Sequence, residues 1–202
     1  MKTDASGPSP ERQRMLDYLA SRATTLRPTE IFARVHAAVA GLEASLEGVS
    51  ETEARLSRSD GWSIAQVVDH LAQTMIRSAE ELRHALTGRR PPGPPVYEGL
   101  LSGAADRTAW GDLLEGLRSA NGEFETVLTL ASNPDSMTGP NTASSRPAAA
   151  LIRTILVVNA TTPGGRVEPE IFDAELDWKE YALVQRLHLR DHRAQIQRLR
   201  GD

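Results

Sequence analysis

DWKEYALVQRLHLRDHRAQIQRLR, residues 177–200, reads as a long helix whose start is marked by Asp177 as N-cap with Glu180 three residues on. At about 100° per residue, with Trp178 taken as zero, His188 and His192 fall near 280° and 320°. That arc also holds Tyr181, Gln185, Ile196 and Leu199, so both rings belong to the inward face. Residues four apart stack on successive helical turns, and two imidazoles so placed can meet one ion. Each buried ring brings a donor and an acceptor that burial takes away from water. A metal would satisfy both rings.

The same periodicity recurs upstream. Ile31, Phe32, Val35, Val39, Leu42 and Leu46 follow one another at three and four residues, with Thr29 as the expected N-cap of a first long helix. Ser63 and Gln66 form a capping box, with Trp62 placed to staple onto Val67. The second helix runs from there to about Leu86, with Ile64, Val67, Val68, Leu71, Met75 and Leu82 inward. A third is expected from near Asp106 to about Ala131 on the stripe Trp110, Leu113, Leu114, Leu117, Phe124, Val127 and Leu128. Four long helices predict an all-α, up-and-down-like four-helix bundle.

Residues 1–10 read as a loose tail and Glu11 to Leu26 as a short helix interrupted by Arg27-Pro28. Residues 1–27 then form a partly flexible N-terminal extension to a domain spanning 28–202. The proline-rich stretch from Gly88 to Pro95 is expected to be an extended loop. Residues 132–176 are expected to be an irregular excursion before the last helix, in which Leu151 to Val158 suits a buried helix or a short strand equally.

Composition narrows the chemistry. The chain has 202 residues, 40% apolar and 25% charged, the proportions of a globular domain. With 23 basic and 27 acidic residues the net charge is −4, so no basic excess draws nucleic acid or a membrane surface, and a small molecule is the expected partner. No cysteine is present, which removes disulfides, thiolate ligands and a protein thiol nucleophile. The start of the chain lacks a secretory pattern and no apolar run approaches the ~18 residues of a membrane span, so the cytoplasm is the expected location.

Of the five histidines, His36 and His84 read as surface residues, and His70, in the second turn of the second helix, is the natural third ligand for the 188/192 pair. His70 lies roughly 130° from the centre of its helix's apolar stripe, which suggests a site at the rim of the bundle, open to solvent. Three neutral imidazoles would leave an ion its full charge and an open coordination position. Gln185, one turn before His188, is placed to orient water or substrate. Asp69 and Asp191 adjoin ligands in sequence but diverge from them by about 100°, so each is better placed to serve a ligand on another helix. Arg186, Arg190, Arg193 and Arg200 cluster away from the histidines as a solvated face. A ferritin-like di-iron reading fails, since only Glu81 with His84 has Glu-x-x-His spacing. Zincin, nucleophile-elbow, phosphate-loop and dinucleotide motifs do not occur.

At these residues the chain resembles the DinB-like (DinB/YfiT) superfamily of metal-binding four-helix bundles. GWSIAQVVDHL, residues 61–71, is similar to that family's Trp-Ser opening of the second helix, ending in its first metal histidine. LHLRDHRAQI, residues 187–196, resembles its last helix with the His-x-x-x-His pair, and Phe172 to Trp178 the turn before it. The resemblance implies a divalent site of His70, His188 and His192 in a metal-dependent enzyme. Characterised members include S-transferases using low-molecular-weight thiols such as bacillithiol or mycothiol, a mycothiol-dependent isomerase and hydrolases. Without cysteine, this chain would need an external thiol. Imidazole ligands suit zinc, nickel, iron or copper, with zinc or nickel favoured. The alternatives are a non-catalytic bundle that holds a metal or small ligand, and a structural bundle with metal-free histidines. Exposed helix faces leave room for a homodimer.

Overall fold

The hydroxyl of Ser9 accepts the Arg12 N–H, and Pro10 fills the first helical position, where a missing N–H costs nothing. So begins α1 (Pro10–Thr25) in the computed structural model, which describes residues 8–57, 61–95, 100–132, 150–162 and 164–201. The first seven residues of the expected tail and most of the 132–149 segment lie outside the described residues. The helices that follow are α2 (Pro28–Leu46), α3 (Glu51–Arg55), α4 (Ile64–Leu86), α5 (Trp110–Ser132) and α6 (Trp178–Arg200).

The helix starts follow local chemistry. In α2 the expected Thr29 cap is replaced by Arg27, because Pro28, with its fixed φ, suits the first helical position; the Glu30 carboxylate accepts the Arg27 N–H at 2.9 Å. The capping boxes of Ser63 with Gln66 and of Asp177 with Glu180 are both formed. The expected start of α5 at Asp106 moves to Trp110. Ala104–Asp106 is instead a short 3₁₀ turn after Gly103, whose φ is 75°, and the Trp110 indole N–H donates to the buried Val49 carbonyl at 2.9 Å.

The molecule is mostly helical but not all-α. The segment before α6 contains β1 (Ile152–Thr161) and β2 (Val167–Leu176), an antiparallel hairpin in register from Ile152 opposite Leu176 to Thr161 opposite Val167. Ile152, Thr154, Leu156 and Val158 are buried while Arg153 and Asn159 point out, so the alternation of a half-buried strand governs this stretch. Gly165, at φ 77°, sits in the turn.

The four long helices form a ring of contacts: α2 packs on α6 and α5, and α4 packs on α5 and α6. The core between them includes Leu42, Leu71, Met75, Leu117, Phe124, Leu128 and Leu189. Helix α1 lies against α6 and β1 and contributes buried Leu19 to the same core; β1 also touches α4. Helices α4 and α6 run antiparallel, since His70 meets His188 while Glu81, farther along α4, meets Tyr181, earlier on α6. No described helix is long and apolar enough to cross a membrane.

Candidate metal centre

Three imidazole Nε2 atoms converge between α4 and α6. His188 Nε2 lies 3.0 Å from His70 Nε2 and 3.0 Å from His192 Nε2. The ligating atoms of the three residues all lie within 4.8 Å of one another. The expected rim position of His70 is corrected: it is only 2% exposed. Its flank of α4 faces α6, so the side off the apolar stripe is covered by polar neighbours rather than by water. His188 and His192 are half-buried. Trp62 closes one side, stacked parallel to the His192 ring at 6.3 Å and tilted against His70 at 5.1 Å.

The far nitrogens of two rings are engaged. His70 Nδ1 lies 2.9 Å from the Leu100 carbonyl and His192 Nδ1 lies 2.8 Å from Gln195 Oε1. Both partners are acceptors, so each Nδ1 carries the proton and each Nε2 turns its lone pair inward. Asp69 holds the loop that brings Leu100: its carboxylate accepts the backbone N–H groups of Ser102 and Gly103, both at 3.1 Å, and the Ser102 hydroxyl at 2.6 Å. Asp69 therefore supports the ligand beside it in sequence, by way of the loop. His188 Nδ1 is buried without a hydrogen-bond partner.

The electrostatics favour neutral rings, the form a metal binds. Burial, then the charges of His192 and His70, hold His188 well below the usual histidine range. Burial, then the charge of His70, lowers His192 to about 4, against the opposing hydrogen bond that its ring donates to Gln195. The donor set fits an ion. A tetrahedral zinc with ~2.0–2.1 Å bonds to nitrogen sets its ligand atoms about 3.3 Å apart, within a few tenths of an ångström of the two 3.0 Å separations made by His188 Nε2.

A cleft of about 650 Å³ opens from the histidines. Thr154 to Val157 and Asn159 of β1, Met15 of α1, and Val184 and Leu187 of α6 line it, together with Thr74, Gln185 and Asp191. None of the described lining residues is a lysine or an arginine. The hairpin that replaces the expected excursion thus becomes a wall of the site. Among the described lining residues Asp191 is the one carboxylate, and partial burial raises its pKa.

The remaining residues singled out by spacing lie elsewhere. His36 is exposed and paired with Glu125 at 2.9 Å; His84 is half-buried, outside the cleft lining. Gln185 lines the cleft but is 4% exposed. The arginines of α6 are mostly in use: Arg200 donates to the Ser45 carbonyl at 2.8 Å, Arg186 reaches the Tyr18 hydroxyl at 3.4 Å, and Arg193 lies over Gly41, where a Cβ would come within 2.8 Å of its Nη1. Arg190 is exposed. Gln195 was findable from the i,i+3 rule. The Leu100 carbonyl, Thr74 and the β1 wall carried no spacing signal.

Comparison with protein-family models, with curated proteins and with solved structures finds no match to this chain.

Proposed function

We propose that the chain is a DinB-like four-helix bundle in which His70, His188 and His192 hold one divalent ion for chemistry on a small molecule, of thiol S-transferase or hydrolase type. The observation that carries this reading is the meeting of three Nε2 atoms at an open cleft. Zinc or nickel is the favoured ion, with iron or copper also suited to imidazole. When bound, the ion supplies a Lewis acid that yields hydroxide or thiolate near neutral pH.

The chain's own residues do the rest. Leu100 and Gln195 fix the tautomers of His70 and His192, and Trp62 shields the rings from water. The apolar stretch of β1 with Val184 and Leu187 holds the body of the substrate. Asp191, made more basic by partial burial, accepts a proton at its carboxylate. A thiol reaction draws on an external low-molecular-weight thiol, since the chain has no cysteine. The setting that goes with this reading is cytoplasmic.

The test is turnover of a chromogenic electrophile by the zinc- or nickel-loaded protein with each of several cellular thiols. His188→Ala is expected to abolish metal binding and turnover while helicity persists. Undiminished turnover by that variant refutes the assignment. Metal uptake with no electrophile consumed favours a bundle that only holds its ion.

A further inference from the structure

Among the described residues, no strand pairs with the edge of β1 that faces away from β2. The ladder itself tells which backbone groups are left over on that edge. Thr162 N–H donates to the Arg166 carbonyl at 2.8 Å, one step beyond the pair of Thr161 with Val167. Hydrogen-bonded and non-hydrogen-bonded pairs alternate along an antiparallel ladder. Thr154, Leu156, Val158 and Ala160 therefore turn their N–H and C=O groups toward β2, whereas Ile155, Val157 and Asn159 turn theirs away. Pro169 gives the same phase. It stands opposite Asn159, so its missing N–H falls on the outer edge of β2, where the ladder loses nothing. Among the described residues no backbone group of Ile155, Val157 or Asn159 bonds to backbone outside the hairpin.

That edge runs along the cleft. Thr154 to Val157 and Asn159 all line it, and they belong to both faces of the strand. Thr154 and Leu156 are buried on one face, while Ile155 and Val157 are half-buried on the other. A cavity bordered by both faces of one strand lies beside its edge. Folded proteins blunt a bare edge with charges, proline or a bulge. β2 is blunted in this way by Pro169, Glu168, Glu170, Asp173 and Glu175. From Thr154 to Asn159 β1 has no charge, no proline and no break in register. The described lining offers no lysine or arginine to a phosphate or a carboxylate, yet Gln185 Oε1 and Thr74 Oγ1 on lining residues are buried without a hydrogen-bond partner. The cleft has hydrogen-bonding capacity left over and little charge.

We propose that the cleft takes an extended, peptide-like chain that adds to β1 as a third strand, its amides pairing with the outward N–H and C=O groups of Ile155, Val157 and Asn159. This rests on reading the cleft as the substrate site, and it names the class of substrate: an uncharged run of amides bearing apolar side chains. At ~3.4 Å per residue the stretch from Ile155 to Asn159 measures ~14 Å, the length of four or five paired residues. A volume of about 650 Å³ is ordinary for a ligand of that size. Ile155 and Val157 flank one row of the incoming side chains, and Thr154 and Leu156 flank the other. The histidines line the same cleft, so a chain held on β1 lies beside them.

The test uses the full chain and a fluorescent, end-blocked pentapeptide of alternating valine and threonine as the probe. By fluorescence anisotropy it is expected to bind both zinc-free and zinc-loaded protein. The same peptide with every amide nitrogen methylated is expected to bind at least about tenfold more weakly, since its donors are gone. Val157→Pro removes one outward N–H and no bond of the hairpin, and is expected to weaken the unmethylated peptide about three- to tenfold. The methylated peptide makes the same test on wild-type protein if that variant does not fold. In amide hydrogen exchange, Ile155, Val157 and Asn159 are expected to exchange faster than Thr154, Leu156 and Val158, and to slow when peptide is added. Equal binding of the two peptides, or outward amides already protected without peptide, overturns the proposal. So does a dimer that Val157→Pro dissociates, because a second copy then covers the edge. A wild type that takes zinc and leaves the peptide free overturns this proposal alone; one that binds the peptide and takes no zinc overturns the metal reading alone.

Discussion

Asp69 and His70 are adjacent on α4 and point about 100° apart, so the carboxylate cannot reach the imidazole beside it. It grips Ser102 and Gly103, and the loop so held delivers the Leu100 carbonyl to His70 Nδ1. Asp69→Ala is expected to weaken zinc binding about ten- to a hundredfold, read by chelator competition. An unchanged affinity means the loop keeps its place without the carboxylate. The ligands themselves were legible because i,i+4 spacing and a helical arc are properties of the sequence. The Leu100 carbonyl was not, since a backbone oxygen carries no residue identity and comes from a loop 30 positions away.

At the scale of elements, α4 and α6 are joined at two levels. The histidines form one. At the other, the buried Tyr181 hydroxyl donates to Glu81 Oε2 at 2.6 Å and lies 3.0 Å from Ser78 Oγ. Burial raises the pKa of Glu81, against the Tyr181 hydrogen bond and the Arg77 charge that lower it. Tyr181→Phe strands that carboxyl group and is expected to cost about 1–3 kcal/mol, a fall of several degrees in thermal midpoint for a chain of this size. An unchanged midpoint removes the pair from the account. The capping boxes at Ser63 and Asp177 marked helix starts correctly because each is a local, two-residue event. The hairpin escaped because Leu151 to Val158 is apolar enough to suit a buried helix; what decides it is pairing with residues 167–176, which periodicity within one segment does not report. The start of α5 shifted because Trp110 is anchored by Val49, a contact across 61 positions.

The molecule as a whole keeps neutral imidazoles in a place that opposes charge. His192 is lowered to about 4 and His188 is also lowered, against an unfolded value of about 6.5. Below about pH 6.5 the unfolded chain takes up protons that the folded chain refuses, so the metal-free protein loses stability as pH falls toward about 4. Above that window the two rings add no pH dependence. Urea unfolding of zinc-free protein across the window is expected to show a slope approaching two protons per molecule. A flat profile means the rings titrate as they do in water.

The central claim is that residues 70, 188 and 192 act as one site. Its most direct measurement is zinc content by elemental analysis after dialysis of wild type and His70→Ala. The account predicts about one zinc per chain in the wild type and loss of most of it in the variant, with circular dichroism unchanged. A wild type that retains no zinc, or a His70→Ala protein that retains as much as the wild type, contradicts it.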